Sequence, residues 1–137
     1  MRSAPCVLLV EDDPATAELV AEWLRGAGYR LAVARDHAQA EAALATARFD
    51  LVLADSLYRP GAGGAGDRWA ALERLRDLAR PAPVVICTAY SAAEFAGYAA
   101  RGFGALVPKP FRLDALTEVI RDQLAAGGRG APRRAGG

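Results

Sequence analysis

Apolar, β-branched runs alternating with longer helical patterns predict an α/β domain, a parallel sheet with helices on both faces. Three observations carry that expectation. Val7–Val10, Leu51–Ala54 and Val84–Thr88 are continuous apolar runs, the pattern of strands covered on both sides. The segments between the strand candidates repeat apolar residues at helical spacing. At 137 residues and 53% hydrophobic, the chain suffices for one compact core and leaves little length for a second.

Taken in order, the first strand, Val7–Val10, runs into Glu11, Asp12, Asp13 and Pro14. Asp at an N-cap with Pro at the first helical position is a helix start, so Asp13 is expected to cap. Val20, Trp23, Leu24 and Ala27 form the stripe of that helix, closed by Gly28. Leu31–Ala34 is the second strand and Ala40–Leu44 marks the second helix. Leu51–Ala54 is the third strand, and Trp69–Leu78 a third helix stopped by "ARPAP", Ala79 to Pro83. Trp23 and Trp69 fall on helix stripes and read as packing residues. Val84–Thr88 precedes a fourth helix over Ala92–Ala100, and Ala105–Val107 is the fifth strand. Leu113, Leu116, Ile120 and Leu124 line a fifth helix ended by Gly127 and Gly128. No internal repeat is present. Residues 1–126 are therefore expected to form the domain, and residues 127–137, rich in glycine and arginine, a disordered tail.

Seventeen basic and sixteen acidic residues leave a formal charge of +1, which points to neither a nucleic-acid nor a membrane surface. No apolar run approaches the ~18 residues of a membrane span, and the first residues lack a signal-peptide core. Cys6 and Cys87 lie inside apolar runs, where an unpaired thiol acts as a small hydrophobe, so a reducing cytoplasm is expected. His37, in the polar stretch "RDHAQ", reads as a surface residue without a role.

Chemistry is expected at the carboxyl ends of the strands, where ligands bind in open α/β sheets. There the first strand carries Glu11 and Asp12, the third Asp55, the fourth Thr88 and the fifth Lys109 with Pro110. Clustered carboxylates need a compensating charge, and hard oxygen ligands at a partly open site suit Mg2+. Beside that cation Asp55 can attack phosphorus to give an acyl phosphate, with Lys109 neutralising the transferred oxygens and Thr88 bonding one of them. Capping, strand packing and solvation explain each residue singly. They do not explain four strand ends together.

The segments "VLLVEDDPATAELVAEWLRGAGY", "FDLVLADS", "PVVICTAYS" and "ALVPKPF" resemble the receiver domain of two-component response regulators, from about Cys6 to Ala125. The resemblance implies a flavodoxin-like, doubly wound, five-stranded parallel sheet in the order 2-1-3-4-5. It implies Asp55 as phosphoacceptor, Glu11 and Asp12 as the acidic pair serving Mg2+, Thr88 as switch hydroxyl and Lys109 as the phosphoryl-binding lysine. The backbone carbonyl of Leu57 would supply a further metal ligand, and the Lys109–Pro110 bond would be cis. The implied partners are a histidine kinase or phosphotransfer protein as donor and a downstream protein for output, without direct nucleic-acid or membrane binding.

Three departures from the family pattern stand out. "DSLYRPGAGGAGDRW" sets Pro60 one position late and lengthens the loop after Asp55. Leu106 occupies a place that is usually aromatic, and Arg112 one that is often acidic. Two rival readings follow: a pseudo-receiver that only docks partners, and a phosphatase of the haloacid dehalogenase type. The phosphatase would carry a second Asp two residues beyond the nucleophile, where Leu57 stands, so turnover of external substrates is not expected.

Overall fold

The computed structural model describes residues 4–56, 67–89 and 92–130. In chain order these form β1 (Cys6–Val10), α1 (Pro14–Gly26), β2 (Arg30–Ala34), α2 (His37–Thr46), β3 (Leu51–Asp55) and α3 (Asp67–Ala79). There follow β4 (Val84–Thr88), a 3-10 turn (Ala92–Phe95), β5 (Ala105–Pro108) and α4 (Leu113–Gly130). All pairings are parallel and the strand order is β2-β1-β3-β4-β5. The doubly wound fold expected from the sequence is thus the fold observed.

Side-chain alternation divides the central strands between two cores. Leu8, Val10, Val52, Ala54, Val84 and Ile86 face Ala40 of α2, Trp69, Leu72 and Leu75 of α3, and Phe95. Their neighbours Val7, Leu9, Leu51, Leu53, Val85 and Cys87 face Ala17, Val20 and Leu24 of α1 and Leu116 and Ile120 of α4. Burial on both faces explains why these strands read as unbroken apolar runs. The edge strands β2 and β5 are less buried. Each fully buried leucine or isoleucine contributes about 1.5–3 kcal/mol relative to exposure.

Asp13 caps α1 as expected, accepting from the Thr16 amide at 2.9 Å, with Pro14 in the first turn. The buried stripe of α1 is Ala17, Val20, Ala21 and Leu24, so the sequence-derived stripe is shifted in part. Ala27 is exposed, and Trp23 is 43% exposed at the helix margin. Small alanines let α1 approach the sheet, while the Trp23 indole N–H donates to Thr117 Oγ1 of α4 at 2.7 Å. Trp69, by contrast, is buried against Phe95 and Phe103, with the Arg101 guanidinium 4.3 Å above its ring centroid.

Two expectations about helices are corrected. Ala92–Ala100 is not a helix: only the 3-10 turn Ala92–Phe95 is regular, and Gly97 takes φ +86°, outside the helical region. The last helix does not end at Gly127 and Gly128 but runs to Gly130, since glycine lowers helix propensity without forbidding helical dihedrals. Residues 131–137 of the expected tail and the loop of residues 57–66 with its Leu57 ligand lie outside the described residues. Among the described residues no helix is long and apolar enough to cross a membrane, and both cysteines are free thiols.

Candidate functional site

Parallel pairing brings the carboxyl ends of β1, β3, β4 and β5 to one edge. β1 hands over to Glu11, whose amide donates to the Ala34 carbonyl of β2 at 2.9 Å. Asp55 is the last residue of β3 and Thr88 the last of β4. The Lys109 amide, one residue past β5, donates to the Thr88 carbonyl at 2.7 Å. Backbone bonds of the sheet and its extensions therefore set where these side chains begin.

The lysine is the electrostatic centre of the site. Its Nζ donates to Glu11 Oε1 at 2.8 Å and to Asp55 Oδ2 at 3.0 Å. Carboxylate oxygens of Glu11, Asp12 and Asp55 lie within 4.8 Å of one another. Glu11 is buried at 4% exposure, and this desolvation pushes its carboxyl above the usual range; the Lys109 bond opposes the shift and the Asp55 charge adds to it. Burial also works against the Lys109 ammonium, but its bonds to Glu11 and Asp55 outweigh that, and its pKa is raised. Lysine is therefore charged at neutral pH. Three carboxylates at this separation repel one another, and positive charge placed among them favours their ionised forms.

The donor set fits Mg2+. Three hard carboxylate oxygen donors converge, while Asp12 and Asp55 are only partly buried, which suits an ion that keeps several of its waters. Asp13 stands outside this set. It is exposed, caps α1, and offers its backbone N–H to Glu11 Oε2 at 3.2 Å, orienting that carboxylate.

Thr88 is fully buried and sits differently from the other site residues. Asp55 pairs in register with Cys87, and both continue the face that packs on α1 and α4. Ser56 and Thr88, one position on, belong to the opposite face, behind Ala54 and Ile86. There the Ser56 hydroxyl donates to Thr88 Oγ1 at 3.3 Å.

The sequence does not single out Ser56, and it presents His37 as a surface residue without a role. His37 opens α2 half-buried rather than as a surface residue, with Nε2 3.4 Å from the Asp55 carbonyl oxygen. Burial lowers its pKa despite that contact, so it is neutral at pH 7. No local pattern flags either residue: Ser56 resembles a strand end and His37 a helix start. Leu106 pairs with Ile86 and packs against the α3-side core, an apolar packing role. Arg112 precedes α4 and forms a bidentate pair with Asp114, whose carboxylate also accepts from the Ala115 amide, so the helix start keeps an acid two residues later. The Lys109–Pro110 peptide is cis, as is Arg80–Pro81.

Residues 7–121 match the sequence profile of the response regulator receiver domain. Among curated relatives, the Transcriptional activator protein PfeR of Pseudomonas aeruginosa is 36% identical over 122 residues, covering 85% of this chain and 38% of that protein. The Transcriptional regulatory protein ZraR of Escherichia coli is 35% identical over 121 residues, 87% of this chain and 26% of that protein. The chain therefore spans well under half the length of these relatives. Among solved structures, a response regulator receiver domain protein (CheY-like) from Methanospirillum hungatei superposes with a TM-score of 0.79 at 25% identity, covering 94% of this chain and all of that one. The HemR receiver domain from Leptospira biflexa gives 0.69 at 28%, over 88% and 94% of the two chains. With sheet order, site and profile in agreement, the chain belongs to the response regulator receiver domain family of two-component signalling.

Proposed function

We propose that this domain accepts a phosphoryl group on Asp55 from a phosphohistidine of a histidine kinase or phosphotransfer protein. The observation that supports it best is Lys109 Nζ held between Glu11 and Asp55 at the carboxyl edge of the sheet, with Asp12 beside them. An Asp55 carboxylate oxygen attacks phosphorus, the P–N bond breaks, and its electron pair leaves with the donor's protonated imidazole as neutral imidazole. The product is an acyl phosphate. Lys109 remains charged throughout and faces the transferred oxygens, a fixed cation that needs no reorganisation during transfer. Glu11, Asp12 and Asp55 are the residues that would hold Mg2+, which when bound would withdraw charge from the phosphoryl oxygens. The protein is consumed as an acceptor in each transfer rather than turning over external substrates, and output passes to a partner protein.

Incubation with acetyl phosphate and Mg2+, read by intact mass, tests the assignment. The parent should gain one phosphoryl group and Asp55→Asn none, with the fold retained. Mg2+-dependent labelling of Asp55→Asn at the parental level would overturn it.

A further inference from the structure

The hydroxyl that could meet a phosphoryl oxygen on Asp55 is engaged elsewhere, and the residue that engages it is Ser56. Both residues are anchored by their main chains. The Ser56 amide donates to the Cys87 carbonyl at 2.9 Å, and the Thr88 carbonyl accepts from the Lys109 amide at 2.7 Å. Any motion of the Thr88 hydroxyl is therefore a rotation about χ1 between discrete wells, the behaviour of a β-branched side chain. In the observed well Oγ1 accepts from Ser56 Oγ at 3.3 Å, on the sheet face opposite Asp55. Ser56 and Thr88 are buried there, at 6% and 0% exposure. A hydrogen bond between buried hydroxyls stabilises the well in which it forms, so Ser56 favours this one.

From this arrangement we propose that Ser56 is a positioning residue that latches Thr88 in the resting state and so sets how readily the domain responds to phosphorylation. The inference rests on the phosphoacceptor reading of Asp55. A phosphoryl group there presents anionic oxygens, and a hydroxyl bonded to an anion is held more strongly than one bonded to a neutral hydroxyl. Thr88 then leaves Ser56 and rotates toward Asp55. No covalent change accompanies the step. The Ser56–Thr88 bond belongs to the resting well, so deleting the Ser56 hydroxyl weakens that well relative to the other.

The test uses the full chain with Mg2+ and beryllofluoride, a non-covalent phosphoryl mimic, titrated into the parent, Ser56→Ala, Thr88→Val and the double variant. Ser56→Ala should bind beryllofluoride about fivefold more tightly, the scale of one net buried hydrogen bond. In the unliganded variant the Thr88 methyl carbon resonance should move toward its position in the beryllofluoride-loaded parent. In the Thr88→Val background the Ser56 substitution should change the affinity by less than about twofold, since coupled residues lose their effect when the partner is gone. Equal effects in both backgrounds, or an unmoved methyl resonance, overturn the latch alone. A parent that takes up no beryllofluoride with Mg2+ overturns the phosphoacceptor reading and the latch with it.

Discussion

At the scale of single residues, three successive acids do different work because their surroundings differ. Glu11 is buried against Lys109, Asp12 shares the carboxylate cluster, and Asp13 is exposed at a helix start. The Thr16 hydroxyl and amide hold the Asp13 carboxyl below its ordinary value of 3.8. A depressed folded-state pKa gives stability that is present above the unfolded value and lost as pH falls through the folded one. Asp13→Ala should therefore lower the melting temperature by a few degrees at pH 7, and the gap to the parent should close below about pH 3.8. Thermal melts across that range check the sign; a gap that widens at low pH would contradict it. The two thiols part in the same way. Burial pushes Cys87 up to about 12, whereas Cys6 is only half-buried, so native protein at pH 8 should alkylate at Cys6 and spare Cys87.

Among the elements, those that could be read from the chain are the ones whose pattern has a single cause. β1, β3 and β4 are apolar on both faces because both faces are covered, and that leaves an unbroken run in the sequence. The segment after β4 departs from the expected helix because one glycine in the left-handed region overrides alanines and aromatics at helical spacing. Phe95 is fully buried and Phe103 nearly so, yet Gly97 at φ +86° and Gly102 at φ +94° turn the chain between them. Gly97→Ala separates the two readings. A helix would gain about 0.5–1 kcal/mol from the substitution, whereas a left-handed glycine loses about 1–2 kcal/mol. Among the described residues nothing lies within 4 Å of a Cβ built there, so the loss is one of backbone conformation. Denaturant unfolding should show destabilisation. A stabilised Gly97→Ala would restore the helix expected from the sequence. On the opposite face, Ile120→Ala should cost about 2–5 kcal/mol, because that side chain is fully buried beneath α4.

For the whole molecule, the site was legible wherever it lies at a strand end and hidden wherever it depends on which strands are neighbours. Glu11, Asp12, Asp55 and Lys109 follow apolar runs and could be gathered by one rule about sheet edges. The Ser56–Thr88 contact needs β3 beside β4 in a given register, and the His37 contact needs α2 to start level with the end of β3. Neither spacing exists along the chain. The same global view ties metal to folding. A cation that binds only the assembled edge stabilises the whole domain by RT ln(1 + [Mg2+]/Kd), about 2.7 kcal/mol at a hundred times Kd, because the strand ends separate on unfolding. The melting temperature of the parent should thus climb with Mg2+. Asp12→Ala removes one of the clustered carboxylates and should flatten that climb. Asp13→Ala should start from a lower melting temperature yet keep the parental slope. Lys109→Ala should retain or steepen it, since the ammonium between Glu11 and Asp55 competes for the same oxygens. Calorimetric melts of the four proteins across a Mg2+ series decide among these roles. Equal flattening in Asp12→Ala and Asp13→Ala would show that the third acid also belongs to the metal centre, and loss of the slope in Lys109→Ala would show that the lysine organises the carboxylates instead of competing for them.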